Sequence, residues 1–165
     1  MTRPTWDEFF LGIMDSVALR GTCNRGQSGC IITKDKDIIA TGYVGSPAGM
    51  PHCDEVGHQM KKVIHTDGDG HTSEHCVRTI HAEQNAICRA AKNGHAINGA
   101  TLYCSMTPCR VCAMMIISCG IERVVAKNKY HAGAESIEMF KQVGVEIVHV
   151  HNEVQQYTNV GTTKE

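Results

Sequence analysis

Apolar residues recur along the chain at two spacings, and the alternation between them outlines an α/β domain. Phe9, Phe10, Ile13, Met14 and Val17 share one face of a helix that Thr5 opens as N-cap, with Glu8 at the capping-box position. Cys30-Ile31-Ile32 and Ile38-Ile39-Ala40 flank the polar Lys34-Asp35-Lys36-Asp37, the pattern of a hairpin between two well-buried strands. From residue 43 to 79 the periodicity gives way to Gly, His, Asp and Pro, and a loop of that length is functional or internally braced.

Helical spacing resumes over 81–93 through Ala82, Ala86, Ile87 and Ala90, with Gly94 as its stop. Residues 100–104 read as a strand, and Thr107-Pro108 as the N-cap and first-turn proline of a helix running through Met114, Ile116 and Ile117 to Gly120. A strand over 123–126, a helix over 135–143 ended by Gly144, and a last strand over 145–150 complete the order. Helix, two strands, then alternating helices and strands argue for a three-layer α/β/α domain with a five-stranded mixed sheet. No repeat is visible, so residues 1–157 are expected to form a single domain and 158–165 a flexible tail.

Composition narrows the possible partners. At 165 residues the chain can bury roughly two-thirds of the surface its unfolded form exposes. A formal charge of -1 lacks the basic excess of a domain that grips a long nucleic acid, yet leaves room for a small anionic substrate. With no run of about 18 apolar residues and no signal-like N-terminus, the expectation is a cytoplasmic protein without a membrane partner. Nine cysteines, an odd number, stand beside ten histidines, a mixture that metal binding in a reducing compartment explains better than disulfides do.

The chemistry concentrates in two motifs, His81-Ala82-Glu83 and Pro108-Cys109-Arg110-Val111-Cys112. His81, Cys109 and Cys112 supply three zinc ligands and leave a fourth position for water, while Glu83, in the same helical turn as His81, serves as proton shuttle. An isolated His or Cys more often packs in a core or sits in solvent; the whole combination rarely does. Cys23, Cys53, His58, His71, His75 and Cys76 form a second collection of soft ligands, of which four could close a tetrahedral structural zinc. The alternative is that Cys76 packs in the core and the histidines are solvated. Cys30, Cys88, Cys104 and Cys119 lie in apolar segments and read as structural thiols.

The paired motifs are the signature of zinc deaminases, and the chain resembles the cytidine deaminase-like superfamily. Within it the pattern is most similar to the deoxycytidylate (dCMP) deaminase family, through Ser28-Gly29-Cys30, Gly42-Tyr43, Gly45-Ser46-Pro47-Ala48-Gly49, the run from Cys76 to Glu83, Asn85-Ala86-Ile87 and Lys129-Tyr130-His131. The resemblance implies hydrolytic deamination of dCMP to dUMP and ammonia, feeding thymidylate synthesis, with Glu83 moving the protons. It also implies that backbone groups near Ala82 and at Ser105 to Thr107, Met106 among them, bond the pyrimidine edge, together with a hexamer and regulation by dCTP and dTTP. For the phosphate, Arg25, Lys129, Tyr130 and His131 are candidates, with Tyr130 favoured. By the same resemblance a second zinc would take Cys23 and Cys53 first, with His58 and Cys76 ahead of His71 and His75.

One position departs from the family pattern. Where the family usually carries a sugar-contacting Asn, this chain has Val44, so either Ser46 substitutes or the sugar is held differently. A dCTP-like or 5-substituted cytosine nucleotide therefore stays open as substrate. A tRNA adenosine deaminase would need a basic face, and a nucleoside cytidine deaminase would offer Cys in place of His81. A non-catalytic zinc module would close all four zinc positions and have no use for Glu83.

Overall fold

The computed structural model describes residues 2–64 and 72–155; the expected tail at 158–165 and His71 lie outside them. Helix α1 (Trp6–Ala18) starts as its sequence predicts. Thr5 Oγ1 accepts the Glu8 N–H at 3.2 Å and Glu8 Oε2 accepts the Thr5 N–H at 2.7 Å. Its buried face is Phe10, Leu11 and Met14, whereas Phe9 turns outward at 46% exposure against the rim of Trp6. The face is thus rotated toward Leu11 relative to the sequence expectation.

Strands β1 (Gly29–Lys34) and β2 (Asp37–Tyr43) form the expected hairpin. Asp35 and Lys36 both have positive φ, 52° and 69°, as a two-residue turn matched to the twist of the strands requires. Only β1 is buried along its length; β2 alternates, because it forms the sheet edge. The stretch expected to be a loop holds a short helix, α2 (Cys53–Val56), and a two-stranded ladder of β3 (Met60–Ile64) and β4 (Thr72–Cys76). This hairpin carries exposed Lys61, Lys62 and Glu74, so it has no apolar face for a periodicity reading to detect.

The remaining elements are α3 (Ala82–Lys92), β5 (Thr101–Met106), α4 (Arg110–Ser118), β6 (Arg123–Tyr130), α5 (Ala134–Val143), β7 (Glu146–His149) and β8 (Val154–Gln155). The main sheet runs β2-β1-β5-β6-β7, antiparallel on the β1 side and parallel from β5 to β7, which is the five-stranded mixed sheet expected. The two-residue β8 joins the end of β6, an addition too short to leave a sequence pattern. Alternate residues of the central strands feed two cores. Ile31, Tyr103 and Val125 pack under α1, while Cys30, Ile32, Leu102, Cys104, Val124 and Ala126 pack under the helices of the other face, α3, α4 and α5.

Two contacts fix where those layers sit. A Cβ on Gly42 of β2 would run into the Ala82 carbonyl oxygen and the Ala86 nitrogen, so only glycine lets the start of α3 lie this close to the sheet. On the opposite face, Arg123 of β6 donates to both Asp7 carboxylate oxygens at 2.8 Å, and Tyr103 Oη donates to Asp7 Oδ1 at 2.9 Å. The guanidinium holds the Asp7 carboxyl below its ordinary pKa. A carboxylate so depressed adds stability above its unfolded pKa and loses it as pH falls through the folded value.

Asp7→Asn should therefore cost about 1 kcal/mol at pH 7, a figure kept small because the pair is partly solvated. Urea unfolding at a series of pH values should show that difference shrinking below pH of about 4, and a difference independent of pH would contradict this account.

Candidate metal centre and cavity

The starts of α3 and α4 meet beyond the carboxyl ends of the parallel strands, the usual place for a site in a sheet of this kind. His81 is the N-cap of α3, held there by its own N–H donating to Gln84 Oε1 at 2.9 Å. Cys109 is the N-cap of α4, two residues later than the Thr107 start read from the sequence. That shift puts Cys109 and Cys112 across the first turn, both facing His81. Each sulfur lies 3.4 Å from His81 Nδ1.

The donor set fits a soft divalent cation. Cys109 is pushed down to about 4 by the hydrogen bond from Cys112 and by His81, while the same bond and burial drive Cys112 the other way. His81 is pushed up to about 9, first by its bond to Cys109 and against its own desolvation. Protons thus hold together three groups whose lone pairs converge, and one cation can replace them all. Two sulfurs and one imidazole nitrogen are ligands that zinc accepts, with room for a fourth.

Glu83, in the first turn of α3, is 8% exposed, and Cys112 Sγ points at its Oε2 from 3.8 Å. Burial raises its pKa, with His81 opposing. A carboxyl held in this way next to a metal-ligand set is placed to take up and release protons.

A second group of donors forms beside the first. Cys23 Sγ lies 3.6 Å from His58 Nδ1 and Cys53 Sγ 3.6 Å from Cys76 Sγ, and all four donor atoms fall within 4.8 Å of one another. His58 Nε2 meets Asn24 Oδ1 at 3.0 Å, which commits the ring's other proton outward and turns the Nδ1 lone pair toward the sulfurs. Burial pushes Cys53 up to about 12 and raises Cys23; Cys76, though desolvated as well, ends below its ordinary value through bonds from backbone groups of Arg78 and Gln59. Sequence reasoning ranked these four first, and the structure brings them together. His75 instead lines the neighbouring cavity.

That cavity encloses about 240 Å³ and has both donor groups in its walls: His81 and Cys109 from one, with Glu83 beside them, and Cys23 and Cys76 from the other. Of the expected substrate contacts, Val44, Met106 and Tyr130 line it. Val44 also packs on Cys23 and Cys53. Ala82 is fully buried and Ser46 has its Oγ enclosed without a hydrogen-bond partner; neither is in the lining. Among the phosphate candidates Arg25 and Tyr130 face the cavity, Arg25 also donating to the Glu74 carbonyl at 3.2 Å, whereas Lys129 and His131 do not line it.

Ser105 and Thr107, where backbone contacts were expected, line the cavity, and Gly26, Ser28, Glu74 and Thr79 complete the walls without having been named as substrate or metal contacts. The positions of Ser28 and Thr79 within the family motifs were an available signal for two of them. Glu74 could not be foreseen, since it belongs to the hairpin that left no pattern.

Comparison with known proteins gives a consistent result. The family model described as the cytidine and deoxycytidylate deaminase zinc-binding region matches residues 4–128. ComE operon protein 2 of Bacillus subtilis (strain 168) is 38% identical over 150 residues, covering 91% of this chain and 74% of the relative. The deoxycytidylate deaminase of Mycobacterium phage D29 is 37% identical over 125 residues, covering 76% of this chain and 96% of the relative. Among solved structures, the dCMP deaminase of cyanophage S-TIM5 in complex with dCMP and dUMP superposes with a TM-score of 0.71 at 29% identity, covering 90% of this chain and 99% of that one.

Metal analysis of the purified protein should find about two zinc ions per chain, one for each donor group. Cys109→Ala and Cys53→Ala should each remove one. A single equivalent in the parent, retained with unchanged melting in Cys53→Ala, would eliminate the second centre.

Proposed function

The chain belongs to the family of cytidine and deoxycytidylate deaminases, and on that premise we propose that it hydrolyses dCMP to dUMP and ammonia. The observation that carries the proposal is a buried carboxyl, Glu83, set against a three-donor metal site in the wall of a cavity sized for one small ligand. Zinc bound by His81, Cys109 and Cys112 would supply Lewis acidity able to lower the pKa of water from near 16 to about 7. Everything else in the reaction falls to the chain's own groups.

Glu83 accepts a proton from the attacking water as its oxygen adds to C4 of the cytosine ring, and passes a proton to N3. When the C4–N bond breaks, Glu83 carries a proton to the departing amine. Water and dCMP are consumed, and dUMP and ammonia result. A carboxyl whose pKa burial has raised suits this duty, since it must act as base and acid in turn. Met106, Thr107 and Tyr130 line the cavity in which those transfers take place.

Further parts of the proposal rest on the resemblance. Cys23, Cys53, His58 and Cys76 bind a structural zinc that braces the cavity wall, a role supported by their convergence. The enzyme works as a homo-oligomer, a hexamer by resemblance, on a free nucleotide in the cytoplasm, feeding thymidylate synthesis under control of dCTP and dTTP. No helix among the described residues is long and apolar enough to cross a membrane. Val44 leaves dCTP and 5-substituted cytosine nucleotides as the competing substrates, because its side chain offers the cavity no hydrogen bond.

Ammonia release from a panel of dCMP, dCTP, deoxycytidine and 5-methyl-dCMP, run with and without dCTP and dTTP as effectors, separates these readings. Plain dCMP should be turned over best, and a clear preference for another member would replace it. Glu83→Gln should lower kcat by at least about a thousandfold while keeping metal and fold. Retained turnover in that variant would refute the role assigned to Glu83.

A further inference from the structure

We infer that His149 is a positioning residue for this site, acting through the Thr107 hydroxyl to hold together the strand ends that carry Tyr130 and lead into Cys109. The inference rests on the deaminase reading. Strands β5 and β7 are not neighbours, for β6 lies between them. Yet Thr107, the residue after β5, meets His149, the last residue of β7, with Oγ1 and Nε2 2.8 Å apart. His149 stands opposite Ala126 in the ladder, and the small Ala126 side chain leaves the imidazole room to reach across β6.

The same Thr107 oxygen accepts the Tyr130 N–H at 3.2 Å, and the Thr107 N–H donates to the Asn128 carbonyl at 3.1 Å. Its methyl group packs where a Cβ on Gly133 would come within 2.8 Å, so the approach to α5 is seated on it as well. One side chain at the end of β5, 1% exposed, thus touches the ends of β6 and β7 and the start of a helix. Two residues farther along stands Cys109, and Thr107, Cys109 and Tyr130 all face the cavity. Burial, with Lys129 nearby, lowers the His149 pKa and keeps the ring neutral, so the contact does not depend on a charge.

Removing the imidazole leaves a buried hydroxyl with one protein partner, and the Tyr130 wall loses its anchor. The damage should fall on substrate binding more than on the proton transfers, because neither His149 nor the Thr107 oxygen is free to react. His149→Gln offers an amide where Nε2 now sits, whereas His149→Leu keeps apolar bulk alone.

In the full-length zinc-loaded protein, His149→Leu should raise KM for dCMP about tenfold with kcat within about threefold, and His149→Gln should stay within about twofold of the parent. Amide hydrogen exchange at Tyr130, which needs no turnover, should be slow in the parent, at least about tenfold faster in His149→Leu, and slow again in His149→Gln, with β1 amides unchanged. Fast Tyr130 exchange in the parent overturns the inference without any variant. So does an unaltered KM in His149→Leu, or a loss shared equally by kcat, KM and exchange throughout the sheet. If the parent fails to deaminate dCMP, the functional reading falls and Tyr130 exchange still decides the clamp.

Discussion

Two thiols whose sulfurs each lie 3.4 Å from one imidazole nitrogen can turn all their lone pairs to a common point only with a proton or a cation among them. The rest of the architecture answers to that constraint. His81 and Cys109 are both N-caps, so the positive ends of α3 and α4 point at the sulfurs and favour their ionised forms. Two helix starts can meet only if each helix lies tight on the sheet, which is what Gly42 permits for α3. The burial that brings them together also desolvates Glu83, so the converging donors and the buried carboxyl arise from the same packing.

The second donor group extends this logic to the other wall of the cavity. Cys23, the Cys53–His58 stretch and Cys76 lie far apart in the chain, and the cluster they form has only a small apolar core. A shared cation would tie them together more strongly than their few contacts do. Val44 packs on this group and faces the cavity, so the residue that departs from the family pattern also joins the brace to the substrate's surroundings. An apolar side chain there suits the cysteine cluster and offers nothing polar to a sugar.

Strong local patterns were legible in the chain. The capping box at Thr5 and Glu8, the β1–β2 turn, the stop of α5 at Gly144 and the five-stranded order all follow from short-range rules of spacing and turn chemistry. The β3–β4 hairpin was not legible, because Lys61, Lys62 and Glu74 interrupt its few apolar residues and leave no period. The start of α4 lies at Cys109, and Thr107, read as its cap, instead bonds His149, a residue distant in sequence.

The sequence by itself determined the candidate chemistry: which residues offer zinc ligands, which carboxyl stands beside them, and that one helix begins at His81 and another close to Cys109. Spacing along one helix turn is enough for that, since residues that close cannot separate in space. Only the tertiary structure decided that two metal-ligand groups share one cavity, that Val44 and Tyr130 face it while Ser46 and Ala82 do not, and that β5 and β7 are pinned across β6. These depend on contacts between distant segments, where direction and burial are set by the packing of the whole sheet and by no local pattern.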